Sequence, residues 1–289
     1  MTLGALISFL LTHTSSLSIF CIRHGSENRK ALAALGPWQA ILAVLAVFGL
    51  IELIKYSAML IRQRPYMLEL RRLQPPYYNA LPFKQQKEFE KRVARFILQK
   101  NFIARGDGFE ITLPMQVKIA ASAVQLTFGL GPLYLSHFKA ILIYPDKYYS
   151  TIYKRYHCGE VNMRGLIVLS WRDFESGYHN YTDGLNLGLH EMAHALHLEN
   201  AILNNEYNFL DRQHLQVWNT VAHREMEKLR LVPVGFLRRQ ACDDEHEFFA
   251  VCVESFFERP HDFRKANPDV YEALSQLLLQ DPARGVYQL

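Results

Sequence analysis

The chain contains few cysteines, and their distribution excludes one kind of fold. Only four of its 289 residues are cysteine, and Cys21, Cys158, Cys242 and Cys252 are scattered without a CxxC pair. Disulfide-rich domains and cysteine-rich zinc sites need paired or closely spaced cysteines, so neither is expected here. Cysteines of this kind favour a reducing compartment, which is the cytoplasm.

The chain also lacks a strong charge of either sign. Its 32 Lys and Arg residues against 28 Asp and Glu residues give a formal net charge of +4. This excess is too small to indicate nucleic-acid binding, so no nucleic-acid partner is expected. The composition also excludes a disordered chain, a collagen and a coiled coil, because each needs a far more biased set of residues.

Hydrophobic residues are concentrated in the first sixty positions. The run 40–51 has no polar side chain, and apolar residues continue past Glu52 and Lys55. A helix over 38–60 would be about 35 Å long at ~1.5 Å per residue, enough to cross a bilayer, whereas a buried core helix is the alternative. We predict a hydrophobic N-terminal region, 1–62, with a transmembrane helix at 38–60.

A second apolar stretch, 3–22, is interrupted by polar residues at its centre. It has neither a basic start nor a small-residue cleavage site, so a cleaved signal peptide is not expected. A second span, an interfacial segment and an artefact of start-site choice stay open. Four arginines between positions 62 and 72 follow the predicted span, against three basic residues before it. The positive-inside rule then predicts an inner-membrane protein whose C-terminal part faces the cytoplasm.

Residues 63–289 are predicted to form one domain of the α+β class, mostly helical with a small sheet. Helical spacing of apolar residues predicts helices, and short apolar runs predict strands. The predicted helices are 83–103, 115–128 and 245–257, and the predicted strands are 140–144 and 166–171.

The pattern HExxH occurs once, at residues 190–194. Positions i and i+4 of a helix project from the same face, so His190 and His194 can present both imidazoles to one Zn²⁺. Glu191 projects beside them, where it can act as general base toward a zinc-activated water. The segment therefore predicts a zinc helix, against the alternative of a helix with surface histidines.

A zinc site needs a third protein ligand, whose position identifies the subclass. The metzincin position, six residues after the second histidine, is Asn200, which excludes that subclass. His197 lies on the same helix and is more typical of an exposed or core-edge histidine. The apolar helix 245–257 carries Glu247 and Glu254 on one face. We predict Glu247 as the ligand and Glu254 as the hydrogen-bond acceptor of a ligand imidazole, with a buried salt bridge as the alternative role of Glu254.

Several segments resemble a known family, in the order in which that family has them. They are FEITLPMQVKIAASAVQL (109–126), IYPDKYY (143–149), GLIVLSWRDF (165–174), DGLNLGLHEMAHALH (183–197), EFFAVCVESFF (247–257) and QDPAR (280–284). On these segments the chain resembles the Mlc titration factor A (MtfA) family of zinc-dependent peptidases, relatives of the anthrax lethal factor catalytic domain. The resemblance covers roughly residues 70–287.

This resemblance implies a zincin-like (gluzincin) fold, Zn²⁺ as cofactor, and aminopeptidase-like or endopeptidase activity on a peptide or protein substrate. It implies the same ligands, His190, His194 and Glu247, and the same base, Glu191. For the founding member it also implies association with a transcriptional repressor, which makes a transcriptional regulator a candidate partner. Family members carry Tyr seven residues before the ligand glutamate, where this chain has Gln240.

Gln240 is therefore the candidate transition-state stabiliser, because its amide can donate a hydrogen bond to an oxyanion although it cannot act as an acid. The resulting hypothesis is a membrane-anchored zinc metallopeptidase, with strand 166–171 as an edge strand that binds extended substrate. The alternative is a zinc-stabilised binding or titration protein that sequesters a transcriptional regulator, with catalysis secondary. A purely structural zinc site is disfavoured by the acid beside the ligands.

Overall fold

The structure is a computed structural model that describes residues 37–150, 154–232 and 235–287. The chain divides into two compact units, Met1–Arg62 and Gln63–Leu289, and each is described by itself. The apolar stretch 3–22 lies outside the described residues, so the alternatives for it stay open.

The described part of the first unit is helical. Helix α1 runs from Pro37 to Leu73 and so continues into the second unit. The predicted transmembrane helix at 38–60 is not supported, because no helix in the described ranges combines the length and the hydrophobicity that a bilayer crossing needs. Within that segment Lys55 Nζ lies 2.7 Å from Glu52 Oε1, which places two charges where a membrane interior would strongly disfavour them.

The second unit is built mainly from helices that follow the end of α1. In its described residues the helices are α2 (Pro76–Ala80), α3 (Phe83–Gln99), α4 (Leu113–Thr127), α5 (Trp171–Gly177), α6 (Leu187–Ala201), α7 (Arg212–Leu231), α8 (Glu245–Glu258), α9 (Pro260–Ala266) and α10 (Pro268–Leu278). The strands are β1 (Asn101–Ala104), β2 (Ala140–Tyr144), β3 (Tyr148–Ser150), β4 (Arg155–His157), β5 (Gly159–Asn162) and β6 (Leu166–Ser170). The prediction of a mostly helical α+β fold with a small sheet is confirmed.

Four strands form a mixed sheet in the order β1–β2–β6–β5. The pairs β1–β2 and β2–β6 are parallel, whereas β5 runs antiparallel to β6, with Gly159 opposite Leu169. Strand β5 therefore lies at the edge. The prediction that 166–171 is an edge strand is wrong, because the short strand β5 covers the open side of β6. Strands β3 and β4 form a separate antiparallel pair.

Helix α3 shows how the spacing of apolar residues produces this fold. Phe89, Val93, Phe96 and Ile97 recur at helical spacing, and all four are buried where α3 packs on α4. The predicted helix 83–103 is too long, however, since the helix ends at Gln99 and β1 begins two residues later.

The change from helix to strand occurs at Lys100, which has extended backbone angles. Its buried ammonium group donates hydrogen bonds to the carbonyl oxygens of Leu135 and Phe138, at 2.5 and 2.6 Å. These bonds join Lys100 to the loop before β2. Because the partners are more than thirty residues away, the local apolar spacing does not indicate this boundary.

Helix α6 lies at the centre of the unit and packs on α4, α8, β5 and β6. Gly188 permits the close approach at its first turn, since a Cβ atom there would meet the side chains of Phe174 and Ser122. The side chain of Asn186 caps the helix by accepting a hydrogen bond from the Leu189 N–H at 3.0 Å. The packed core and this cap together determine where α6 presents its polar side chains.

Candidate metal centre

Two helices bring three potential metal ligands together. Helix α6 carries His190 and His194 one turn apart, and α8 carries Glu247 in its first turn. His190 Nε2 lies 3.1 Å from His194 Nε2 and 3.3 Å from Glu247 Oε2, while His194 Nε2 lies 3.3 Å from Glu247 Oε1. In the part of the chain that the structure describes, this is the group of His, Cys, Asp and Glu side chains that could hold a metal ion.

The triangle of donor atoms fits a tetrahedral zinc ion. Ligands at about 2.0–2.1 Å from zinc stand about 3.3–3.4 Å from one another in a tetrahedron. The two imidazole nitrogens are 3.1 Å apart, and each lies 3.3 Å from a different oxygen of Glu247, Oε2 for His190 and Oε1 for His194. One ligand atom from each of the three residues lies within 4.8 Å of the other two. Two imidazoles and a carboxylate are donors that Zn²⁺ accepts, and three protein ligands leave a fourth position open. The residues predicted from the sequence thus lie close enough together to hold one metal ion.

The charges within the cluster compensate one another. Burial by itself lowers the pKa of His190, but hydrogen bonds to the carboxylates of Glu247 and Glu254 outweigh burial and raise this pKa to about 10. For Glu247 burial raises the pKa, whereas the imidazoles of His190 and His194 act more strongly and hold it well below its usual range. Glu247 is therefore ionised, as a metal ligand must be, and metal binding would displace a proton from His190.

Glu191 is buried against the edge strand β5. Its residue surface is only 5% exposed, and a Cβ atom on Gly159 would collide with its carboxylate. Glycine at the first position of β5 thus makes room for the acid. Burial raises the pKa of Glu191 to about 7, although His190 and His194 oppose the shift. A carboxyl group with this pKa can accept and return a proton near neutral pH.

Glu254 contacts the His190 ring at Nδ1, on the side away from His194 and Glu247. It is 2% exposed, and its Oε2 lies 3.4 Å from His190 Nδ1, while its Oε1 accepts a hydrogen bond from the Asn186 N–H at 3.0 Å. Because His190 Nε2 faces the donor triangle, Nδ1 is the ring atom that remains to donate to Glu254. Glu254 therefore connects the orientation of the imidazole to the cap of α6.

Arg238 completes this network and was not predicted from the sequence. Its guanidinium pairs with Glu254 and donates a hydrogen bond to the Gly184 carbonyl oxygen at 2.9 Å. Both roles considered for Glu254, hydrogen-bond acceptor and salt-bridge partner, are thus present in the structure. Arg238 precedes a single 3₁₀ turn, Arg239–Cys242, where no periodic pattern indicates its position.

Gln240, the predicted transition-state stabiliser, lines the same cavity but contacts a member of the triangle. Its Nε2 donates to Glu247 Oε2 at 2.6 Å, and its Oε1 accepts a hydrogen bond from Arg238 Nε at 3.2 Å. The amide group that would donate to an oxyanion is therefore engaged with Glu247. The geometry favours a role in orienting Glu247.

His197 lies outside the donor triangle. Its ring centroid is 4.4 Å from that of His246 on α8, in an edge-to-face contact. Burial lowers the pKa of His197 to about 4, and His246 adds to the shift. The ring is thus a neutral packing group between two helices, in line with the expectation that it is not a ligand.

The cluster opens into a cavity of about 810 Å³, within the size range of ligand-binding clefts. Its walls include Gly159, Glu160 and Val161 of β5 on one side and Arg238 and Gln240 on the other. The potential ligands, the buried acid and the edge strand therefore all face one space.

A helix with the HExxH pattern is a feature of metallopeptidases. The chain belongs to the family described as glucose-regulated metallo-peptidase M90, whose model matches residues 58–278. The matched region contains the donor triangle, Glu191 and Arg238.

Curated relatives agree with this family. Mlc titration factor A of Escherichia coli O7:K1 is 27% identical over 229 residues, which are 73% of this chain and 85% of that protein. Mlc titration factor A of Edwardsiella ictaluri is 26% identical over 233 residues, 74% of this chain and 87% of the relative. The uncharacterized protein slr2042 of Synechocystis sp. is 26% identical over 224 residues, 72% and 81% of the two chains. The predicted resemblance to the MtfA family is confirmed.

Proposed function

We propose that the chain is a zinc-dependent metallopeptidase, in which His190, His194 and Glu247 hold the metal. The observation that carries this proposal is the donor triangle with the buried acid Glu191 beside it in an open cavity. Zinc bound there supplies a Lewis acid that polarises a carbonyl group and lowers the pKa of water. A structural zinc site is a poorer fit, because such sites are usually closed by a fourth protein ligand.

Glu191 is the proposed general base. It accepts a proton from the attacking water and then passes that proton to the leaving amine. In the metal-free chain burial raises its pKa to about 7, so the side chain is able both to take up and to release a proton near neutral pH. The burial that causes this pKa also limits the access of other water molecules to the carboxylate.

The proposed substrate is an extended peptide that adds to β5 as a further strand. Strand β5 (Gly159–Asn162) is at the sheet edge and lines the cavity that contains Glu191. Main-chain hydrogen bonds to an edge strand bind peptides, while pockets for alternate side chains supply specificity. A complex with a substrate analogue that lies away from β5 would contradict this placement.

The variant Glu191→Gln tests the chemistry. Glutamine keeps the shape of the side chain but cannot accept the proton, so we expect peptide hydrolysis to fall by about 10²–10⁴-fold with zinc content unchanged. Zinc is measured by mass spectrometry and hydrolysis by digestion of a peptide library. The matched control is Glu245→Gln, which removes an exposed acid of α8 that does not line the cavity. Undiminished turnover in Glu191→Gln would refute the assignment.

A second candidate is a zinc-stabilised protein that binds and sequesters a transcriptional regulator. Its support is the name of two relatives, Mlc titration factor A, together with the engagement of Gln240 by Glu247. The same variant separates the candidates. If Glu191→Gln restores a deletion phenotype as well as the wild type does, binding is the function, whereas failure to restore it supports catalysis.

We propose the cytoplasm as the cellular location, and the support for this proposal is that the described cysteines are free thiols. Cys158, Cys242 and Cys252 are unpaired in the structure, and free thiols persist in reducing compartments. Recovery of the protein with periplasmic markers in cell fractionation would contradict this location.

A further inference from the structure

A second cavity, of about 440 Å³, lies in the same unit as the metal centre. This volume is within the range of small-molecule sites. Its walls come from five separate stretches of chain, represented by Tyr77, Gln125, Tyr181, Phe257 and Tyr287. None of these residues belongs to the metal centre, and the proposed peptidase mechanism does not use them.

Five aromatic residues line this cavity: Tyr77, Tyr178, Tyr181, Phe257 and Tyr287. Tyr77 makes edge-to-face contacts with Tyr287, at 5.0 Å between ring centroids, and with Phe257, at 5.8 Å. Tyr178 and Tyr181 form a further edge-to-face pair at 5.6 Å. The hydroxyl of Tyr77 donates to Gln280 Oε1 at 2.6 Å, so protein contacts already satisfy it. The cavity therefore offers ring surface to an occupant.

Glu258 is the charged side chain that lines this cavity within the described ranges. It is 9% exposed and accepts hydrogen bonds from the Gly184 N–H at 3.0 Å and from Asn186 Nδ2 at 2.9 Å. Both donors are neutral groups. Burial raises the pKa of Glu258 to about 7, and the nearby acid Asp183 adds to the shift. A buried carboxylate in such surroundings is stabilised by a cation.

We propose that this cavity binds a small organic cation of the quaternary or alkylammonium class, with its charge against Glu258 and its apolar groups among the tyrosine rings. Aromatic faces attract such cations through the ring quadrupole, and cages of rings are the usual means of binding quaternary ammonium groups. An anion would be repelled by Glu258, and a neutral ligand would leave the carboxylate uncompensated.

Asn186 connects this cavity to the metal centre, because it lines both cavities. Its Nδ2 contacts Glu258, its Oδ1 caps α6, and its N–H donates to Glu254, which faces His190. A cation against Glu258 would therefore contact the residues that hold the first turn of the metal-binding helix.

Isothermal titration of the full chain with choline tests the proposal directly. The control ligand is 3,3-dimethyl-1-butanol, which has the shape of choline without its charge. We expect choline to bind about tenfold or more tightly than this neutral alcohol, because the ring and carboxylate contacts depend on the charge. Equal affinity for the two ligands would overturn the proposal.

Two variants locate the site. Glu258→Gln is expected to weaken choline binding about tenfold or more, whereas Glu272→Gln, which removes an exposed acid from α10, leaves it unchanged. Because Glu258→Gln loses a buried acceptor and its fold could suffer, Tyr181→Leu provides a second variant that keeps apolar bulk and removes the ring. Unchanged affinity in a folded Glu258→Gln or Tyr181→Leu protein would place the choline elsewhere and refute this site.

A last comparison separates two sources of the same cation. Phosphatidylcholine vesicles present the trimethylammonium group as a lipid headgroup, and free choline presents it as a soluble molecule. Cosedimentation with the vesicles that is lost in Glu258→Gln assigns the lipid source, and binding of free choline alone assigns the soluble source. Failure of both probes would refute the proposal without affecting the peptidase assignment, since neither measurement depends on hydrolysis.

Discussion

Glu254→Gln is the substitution that most directly tests how the metal centre is held. The glutamine keeps one carbonyl oxygen, which can still accept the Asn186 N–H, but it loses the negative charge that faces both His190 Nδ1 and Arg238. The amide nitrogen, a donor, would then face either an N–H of the ring or the guanidinium. The ring of His190 loses its orienting acceptor and Arg238 loses its ion-pair partner.

The magnitude follows from the burial of the two partners. Loss of an acceptor behind a ligand imidazole typically weakens metal affinity by about 10–100-fold. Removal of one partner from a buried ion pair destabilises a fold by about 3–5 kcal/mol. The side chain of Arg238 is 26% exposed against 2% for Glu254, so water compensates part of the loss. We therefore expect a decrease of about 2–3 kcal/mol in the unfolding free energy of the metal-free chain.

Two assays separate these effects. Competition with a chelator gives the zinc dissociation constant, and urea denaturation of the metal-free protein gives the unfolding free energy. Arg238→Met is the matched control, because it removes the ion pair but leaves Glu254 to accept from His190, so it should lower stability more than zinc affinity. A Glu254→Gln protein that binds zinc as tightly as the wild type would refute the proposed role of Glu254.

Two further predictions concern the edge strand and the second cavity. Gly159→Ala should lower hydrolysis about tenfold or more at unchanged zinc content, because the added Cβ atom meets the Glu191 carboxylate. The control is Gly49→Ala, whose added Cβ atom meets nothing within 4 Å. Full activity of Gly159→Ala would contradict the close packing of Gly159 on Glu191. Burial raises the pKa of Glu258 from 4.5 to about 7, so the folded chain binds the proton more tightly and loses about 3 kcal/mol of stability as the pH rises between these values. Because Glu191 titrates in the same range, the test is a comparison: without choline, the unfolding free energy from urea denaturation should fall less between pH 5 and pH 8 in Glu258→Gln than in the wild type, by about 2–3 kcal/mol. Equal pH dependence of the two proteins would contradict the prediction.

The helical parts of the fold and site could be predicted because their signals are local. Helix α4 begins two residues before its predicted start, and β2 has the predicted limits, Ala140–Tyr144. His190, Glu191 and His194 share one helix, so their mutual arrangement follows from 3.6 residues per turn. Glu247 could be proposed because an acid on the inner face of an apolar helix needs a partner.

The other features depend on contacts between distant parts of the chain. Strand β5 is four residues long with no alternation strong enough to predict it, and it forms because β6 offers a free edge. Lys100 ends α3 through carbonyl groups of a later loop. Arg238 lies in an irregular segment, and its contact with Glu254 forms because the 3₁₀ turn that follows it packs on α8.

The sequence by itself indicated the class of site and predicted its candidate metal and a candidate general base, since these predictions depend on residue types at helical spacing. It placed a membrane span at 38–60 that the described residues do not support. The tertiary structure decided which strand borders the cavity, that Gln240 contacts Glu247, and that Arg238 and Glu254 hold His190 from behind. The physical reason is the sequence separation of the interacting residues. Helical periodicity depends on residues a few positions apart, whereas strand order and these ion pairs depend on segments that only folding brings together.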